Sequence, residues 1–380
     1  MATSVAASMK IPATKAHFSE PSIEYILKNF REILEGKSFL SSFKFCEEFE
    51  QKFAAYHGAK YGATCSSGTT ALELCLRGLR LENKEVILPS VTFAATAFAV
   101  LSSGNIPVLA ESADDLTVDP ADVAKCFTPR TGAVITVHIG GRVSPLTRRL
   151  QELCTQKGVP LLEDAAHAHG SGLEGQKAGT FGVAAAFSFF STKVMTTGEG
   201  GIVLTSDEEI RDRAMLIRNY AKKNNQNLHE EYGSSWRMTE VHALMGLAQL
   251  SELDQFIQRR RELAAIFDEG FADESALELI PNPPECEQNF YKYIALLPPS
   301  IDRGAFSKAL KEEHNVALGG PVYELPLHEQ PVFKKYSQRA LPKAADLCRR
   351  HICPPMYVTM TDEEAQYVVR SIRSTLRRFV

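Results

Sequence analysis

A single lysine, Lys193, follows an apolar, aromatic segment and is surrounded by small hydroxyl residues and glycines. The preceding segment, residues 187–190, has the composition of a buried strand. A lysine just past such a strand is well placed to act as a nucleophile beside a bound anion. A solvated loop lysine is the more common interpretation of one lysine taken alone, because charged side chains are mostly exposed.

A second segment, residues 66–70, has the composition of an anion-binding helix start. Small residues lead into Ser67, Gly68 and Thr69, and a helical pattern follows. The first N–H groups of a helix have no partners within it and favour an anion. An ordinary Ser/Thr helix cap explains the same residues equally well.

Asp164 ends an apolar strand, where a carboxylate is partly desolvated and needs a cationic partner. Together with His138, His167 and His169 it also allows a metal-site hypothesis. That hypothesis is weak, because His167 and His169 are two residues apart and form no fixed chelating face.

Other common active sites lack their motifs. The chain has no G-x-S-x-G elbow for a hydrolase, and Phe190, three residues before Lys193, excludes the S-x-x-K pattern. No Walker A loop is present, and the glycines at 198–201 precede a strand.

Pyridoxal 5'-phosphate (PLP) fits all of these segments. Lys193 would form a Schiff base, and Asp164 would pair with the pyridinium nitrogen. The helix start at Gly68 and the Ser188 hydroxyl would hold the phosphate. Phe93 would cover one face of the ring.

The elements that must position these residues alternate between strand and helix. Near-continuous apolar strands are predicted at residues 85–89, 106–110, 133–139, 159–163, 184–190 and 201–205. Such alternation predicts an α/β fold with a mostly parallel, doubly wound sheet. In these sheets ligands bind beyond the carboxyl ends of the strands, where the candidate residues lie.

Length and composition fit one large domain with a smaller companion. The chain has 380 residues, with 44% apolar and 23% charged residues. We expect a disordered leader over 1–10, a large domain with N-terminal helices over 11–255 and a small α+β domain over 256–380. A strand is predicted at 290–297, and the chain from about 209 to 258 is predicted to be helical.

The net charge and the cysteines limit the binding partners and the cellular compartment that we expect. A net charge of −4 argues against nucleic-acid binding. No apolar run is long enough to predict a membrane span. The eight cysteines form no C-x-x-C pair, which indicates reduced thiols in a cytoplasmic protein.

The chain resembles the sugar aminotransferases of the DegT/DnrJ/EryC1/StrS family, which belong to the fold-type I PLP enzymes. Matching stretches occur in order from about residue 11 to the C-terminus. They are SSGTTALELCLRGL, EVILPSVTFAATAFAVL, LLEDAAHAHGS, FSFFSTKVMTTGEGGIV, GSSWRMTEVHALMGLAQL and PLHEQPVF.

The resemblance implies a role for each matching residue. Catalysis is assigned to Lys193 and Asp164. His167 would lie beside the phenolic oxygen of the cofactor, and Arg237 would reach the cofactor phosphate of a neighbouring subunit. The implied cofactor-binding residues are Gly68, Thr69, Phe93, Asp164, His167, Ser188, Lys193 and Arg237.

The chain departs from the family pattern at three places. His167 replaces a common Gln, Ser235 replaces the Asn of the Gly-x-Asn-x-Arg-Met motif, and residues 138–145 lack the usual Asp-Met pair. These changes affect the contact between subunits and the substrate side of the site. Within residues 319–333, His328 and Tyr323 are predicted to contact the substrate.

The implied reaction moves an amino group from an amino acid, L-glutamate or L-glutamine, to a keto-sugar or keto-cyclitol. The cofactor would alternate with pyridoxamine phosphate, and a homodimer would share its active sites. A sugar dehydratase of the same family is the nearest alternative, but that branch replaces the lysine with histidine. A non-catalytic protein of this fold would be expected to lack Lys193 or Asp164.

Overall fold

The computed structural model describes residues 9–222, 227–229, 231–337 and 339–380. Most of the predicted leader, residues 1–8, lies outside this range. The α-helices of the described residues are α1 (Glu20–Leu34), α2 (Lys44–His57), α3 (Gly68–Gly78), α4 (Ala94–Ser102), α5 (Pro120–Cys126), α6 (Leu146–Lys157), α7 (Glu208–Ile217), α8 (Glu240–Ser251), α9 (Leu253–Phe271), α10 (Arg303–His314), α11 (Pro342–Arg350) and α12 (Asp362–Leu376). The strands are β1 (Tyr61–Cys65), β2 (Glu85–Pro89), β3 (Ile106–Ala110), β4 (Thr131–Val137), β5 (Leu161–Asp164), β6 (Gly172–Leu173), β7 (Gln176–Lys177), β8 (Ala184–Ser188), β9 (Gly201–Thr205), β10 (Glu278–Leu279), β11 (Cys286–Glu287), β12 (Ala295–Leu296) and β13 (His351–Ile352).

The central sheet has the strand order β1-β9-β8-β5-β4-β2-β3. The β2–β3, β2–β4, β4–β5 and β5–β8 pairs are parallel, and β9 runs antiparallel to both of its neighbours. The prediction of a mainly parallel α/β sheet is therefore confirmed. The strands form a parallel sheet because they are apolar and are covered on both faces.

Aromatic packing supports the strand that leads to Lys193. The rings of Phe187 and Phe189 lie 5.1 Å and 5.3 Å from that of Phe53, which projects from α2, and Phe49 lies 5.1 Å from Phe189. All four are fully buried. Each buried ring stabilises the fold by about 1.5–3 kcal/mol, so the end of β8 is a rigid support.

Two predicted elements differ from the structure. The strand expected over 290–297 is limited to β12, because Phe290 has a left-handed backbone (φ 49°) and the segment bends there. The Asn289 side chain holds the bend: it donates to the carbonyls of His167 and His169 and accepts from Tyr291 N–H.

The prediction that residues 209–258 are helical is also wrong in part, since α7 ends at Ile217 and α8 begins at Glu240. The described part of the intervening segment folds back on itself, with Tyr220 N–H bonded to the carbonyl of Ser234.

The C-terminal part forms a smaller α+β unit with the sheet β10-β12-β13. Helices α9 and α12 pack together over it, and their apolar faces form one buried cluster. Ile11, near the start of the described chain, joins this cluster and pairs with Val316. No helix in the described ranges is both long and apolar enough to span a membrane.

Candidate active site

A cavity of about 380 Å³ opens at the carboxyl edge of the sheet. It lies where β1, β5 and β8 end, as expected for a doubly wound sheet. Eight predicted residues line it: Gly68, Thr69, Phe93, Asp164, His167, Ser188, Lys193 and Tyr323.

Lys193 is half-buried in the wall of this cavity. Its Nζ lies 4.9 Å from the centre of the Tyr291 ring. Desolvation lowers the pKa of Lys193 to about 8; the Asp164 carboxylate opposes the shift, and the Lys292 ammonium adds to it. A substantial fraction of the amine is therefore neutral and nucleophilic near pH 8.

Asp164 is buried at the end of β5. Its carboxylate accepts hydrogen bonds from Thr96 Oγ1 at 2.8 Å and from Ala166 N–H at 3.2 Å. Burial raises the pKa of Asp164 despite these bonds and the nearby Lys193. A cation placed opposite the carboxylate would be strongly favoured, because it would offset that desolvation.

The anion-binding end of the cavity is built by close backbone packing. Ser67 caps α3 by accepting from Thr70 N–H, which leaves the first helical N–H groups directed outward. A Cβ on Gly68 would lie 2.6 Å from Ser188 Cβ, and a Cβ on Gly201 would lie 2.2 Å from Ser67 O. Only glycine therefore fits at these two positions.

The aromatic side chains leave room for a flat ring. Phe93 is 64% exposed, and its ring lies 6.5 Å from that of Tyr323 at an interplanar angle of 29°. On the other side, the His167 ring lies 4.4 Å from that of Tyr291. The Nδ1 atom of His167 is buried and has no hydrogen-bond partner within the described chain, so it is left to a ligand.

This donor set fits PLP. The N-terminus of α3 and Ser188 match a phosphate, Asp164 matches a ring nitrogen that carries a proton, and Lys193 matches a carbonyl carbon. The orphaned His167 nitrogen matches a polar ring substituent. The fold and the cavity together define a PLP-dependent enzyme of fold type I.

Two predicted site residues lie outside the cavity lining. Arg237 donates to Asn219 Oδ1 and to Ser235 Oγ, both at 2.7 Å, so Ser235 engages the arginine of its own chain. His328 Nδ1 lies 2.8 Å from Ser90 Oγ at the end of β2. The cofactor contact of Arg237 and the substrate contact of His328 remain predictions.

The other histidines of the metal hypothesis have structural surroundings. His138 is buried against Glu163, which also accepts three backbone N–H groups. His169 packs against Phe187 and Phe189. Within the described ranges, no group of three or more potential ligands could hold a metal ion.

Thr96 and Tyr291 are site residues that were not predicted from the sequence. Thr96 lies on α4, three residues after Phe93, and that spacing could have indicated a residue on the helical face near the same cavity. Tyr291 lay within the predicted strand, so its position beside Lys193 could not be inferred from the pattern.

The sequence profile of the DegT/DnrJ/EryC1/StrS aminotransferase family matches residues 22–373. The chain is 30% identical over 365 residues to GDP-perosamine synthase of Escherichia coli O157:H7, covering 95% of this chain and 97% of that protein. It is 34% identical over 305 residues to L-glutamine:2-deoxy-scyllo-inosose aminotransferase of Streptomyces kanamyceticus, covering 76% and 71%. Among solved structures, DesV of S. venezuelae superposes with a TM-score of 0.89 at 29% identity, covering 97% of this chain and 99% of that one.

The chain belongs to the DegT/DnrJ/EryC1/StrS aminotransferase family. Its enzyme class is PLP-dependent sugar aminotransferase, and its cofactor is PLP, in agreement with the donor set of the cavity. The family, the fold class and the cofactor predicted from the sequence are thus confirmed.

Proposed function

We propose that this enzyme transfers an amino group from L-glutamate or L-glutamine to the ketone of a nucleotide-linked sugar or of a cyclitol. The observation that carries the proposal is the presence of Lys193, Asp164 and the Gly68–Ser188 contact in one cavity. Relatives named for a GDP-linked sugar and for an inosose support both acceptor classes.

The chain's own residues supply binding, charge and proton transfer. PLP, when bound, supplies a carbonyl carbon that can be linked to an amine and a ring that accepts electrons. Lys193 Nζ, with a pKa of about 8, would accept the proton released from the donor's α-carbon and would deliver it to the former carbonyl carbon of the cofactor. Asp164, held by Thr96, stabilises positive charge on the ring nitrogen.

The first test follows the cofactor. Wild-type protein incubated with PLP and dialysed is expected to be yellow, and L-glutamate or L-glutamine should shift its visible band. A Lys60→Met variant, changed at an exposed lysine before β1, should behave like wild type. A wild type that neither retains PLP nor responds to any amino acid would contradict the proposal.

The second test identifies the acceptor. Amine-loaded enzyme would be mixed with keto-nucleotide-sugars, inososes and keto-sugar acids, and the return of the visible band would be recorded. We expect return with at least one nucleotide-linked sugar or cyclitol ketone. Return with simple keto acids alone would contradict the proposed acceptor classes.

We further propose that the enzyme acts as a homodimer in the cytoplasm. Phe39 and Leu40, 67% and 64% exposed, form an apolar surface. Arg237 is bonded to Asn219 and Ser235 of its own chain but is only half-buried, and we propose that it also reaches the partner subunit. All eight cysteines are free, as in a reducing compartment. Sedimentation should give a dimer, and Phe39→Asp with Leu40→Asp should give inactive monomers. A fully active monomer would contradict the shared site.

A further inference from the structure

A second cavity of about 240 Å³ adjoins the cofactor cavity. His167, Tyr291 and Val322 line both cavities, so they form the partition between them. Thr192 lines the second cavity and Lys193 the first, although they are neighbours in sequence. A molecule in the second cavity would therefore lie directly beside the reacting lysine.

Two cationic side chains line this second cavity. Arg260 on α9 is 5% exposed, and its Nε has no hydrogen-bond partner in the described chain. Its Nη1 donates to the carbonyl of Phe290 at 3.0 Å. Lys292 is half-buried, and its Nζ lies 5.4 Å from the centre of the Tyr291 ring. Both cations are thus close to the partition.

No acidic side chain of the described residues lines the cavity. Burial lowers the pKa of both Arg260 and Lys292. The Arg260 charge lowers the pKa of Lys292 further; Cys353 opposes the shift of Lys292, Tyr291 opposes that of Arg260, and no carboxylate contributes to either shift. Partly buried cations without an anion are costly, because the lost hydration is not replaced. An anionic ligand would therefore balance the positive charge of this cavity.

Two glycines line the cavity next to Lys292. A Cβ on Gly319 would lie only 3.2 Å from Lys292 Nζ, so glycine keeps the ammonium accessible there, and Gly320 has open space around its own Cβ position. The volume suits a short carboxylate-bearing chain better than a nucleoside diphosphate, which needs the larger clefts typical of cofactor-sized ligands.

We propose that Lys292 and Arg260 bind a carboxylate of the amino donor. The donor would extend past Tyr291 and His167, so that its amine reaches the cofactor cavity near Lys193. Lys292 is then a specificity-determining residue for the first half of the reaction. The donor is the source of the carboxylate only if the aminotransferase activity proposed above holds, whereas the anion site itself does not depend on that activity.

Ligand binding without turnover is the first measurement. Glutarate, a dicarboxylate that lacks an amine, is titrated against PLP-loaded wild type, Lys292→Met, Lys292→Arg and the Lys60→Met control, with melting temperature as the readout. Wild type, Lys292→Arg and the control should be stabilised, and Lys292→Met should require about 10- to 100-fold more glutarate. Equal stabilisation of Lys292→Met, or none of wild type, would overturn the site.

Single-turnover kinetics identify the source of the carboxylate. The visible band is followed after mixing each PLP-loaded variant with increasing L-glutamate. Lys292→Met should show half-saturation raised about 10- to 100-fold, with recovery in Lys292→Arg. Unchanged L-glutamate saturation, together with lost glutarate binding, would assign the carboxylate to another molecule and overturn the donor assignment. If wild type binds glutarate but no amino acid changes its band, the proposed function fails and the anion site stands.

Discussion

Lys193 and Lys292 are both half-buried, and both place their ammonium groups over the same tyrosine ring, at 4.9 Å and 5.4 Å from its centre. They differ in how the surrounding chain balances their charge. Asp164 lies near Lys193 and opposes the lowering of its pKa, whereas no described carboxylate does so for Lys292. The first cavity carries its own counter-charge, and the second leaves that role to a ligand. This contrast separates a site for a resident cofactor from a site for a substrate that must leave.

The largest effect is expected from removing the lysine that has a counter-charge. Lys193→Ala should lower turnover about 10⁴-fold, since it removes both the amine that holds PLP and the group that moves the proton. Absorption spectra and steady-state rates measure both losses. Lys60→Met provides the matched control, and substantial residual turnover in Lys193→Ala would show that another residue moves the proton.

Removing the counter-charge itself should have the next largest effect. Asp164→Asn keeps the shape and the hydrogen bond from Thr96 but loses the charge opposite the ring nitrogen, so kcat should fall about 10²- to 10³-fold. Steady-state rates at saturating donor and acceptor give the value of kcat. An unchanged kcat would mean that the Asp164 charge does not distinguish the cofactor cavity from the second cavity.

A smaller effect is expected at the phosphate end. Gly68→Ala would place a Cβ 2.6 Å from Ser188 Cβ, so α3 must shift and PLP should bind about tenfold more weakly. Equilibrium dialysis measures the affinity. Gly304→Ala, at the start of α10, is the control, because its new Cβ would meet only the Asp302 carboxylate, at 3.2 Å.

The smallest effect is expected on the pKa of Lys193 when the charge of Lys292 is removed. Burial is the main cause that lowers the pKa of Lys193 to about 8, and the charge of Lys292 adds to it, so Lys292→Met should raise this pKa. Asp164, His167 and Tyr291 also face Lys193, and they are unchanged in this variant.

Reconstitution of apoenzyme with PLP needs the neutral amine, so its rate should rise with pH through the pKa of Lys193. The midpoint of that profile should therefore lie at higher pH in Lys292→Met and be retained in Lys292→Arg. Coincident profiles for Lys292→Met and wild type would show that the two charges do not interact.

The sequence predicts which residues lie at or just beyond the ends of strands. Lys193, Asp164 and Ser188 lie at the carboxyl edge because apolar runs identify parallel strands, and parallel strands share that edge. The central strand bounds agree closely for the same reason: three of them, β2, β3 and β9, match residue for residue.

The second cavity could not be found in this way. Tyr291 and Lys292 lie in a segment whose alternation is typical of a strand, and the bend at Phe290 depends on Asn289 reaching carbonyls about 120 residues earlier in the chain. Arg260 lies on a regular helix where an arginine would ordinarily be solvated. Only the tertiary contacts bring the two cations to one cavity.

Strand β9 has one further consequence. Gly201 pairs with Cys65 on one side and with Ser188 on the other, so a single residue fixes the spacing of the two strand ends that hold the anion. The chain from Ser66 to Gly68 must cross directly above it. Positions 67, 68, 188 and 201 are therefore expected to tolerate change only in concert, and a library that randomises them one at a time should recover almost none of the functional combinations that a joint library contains.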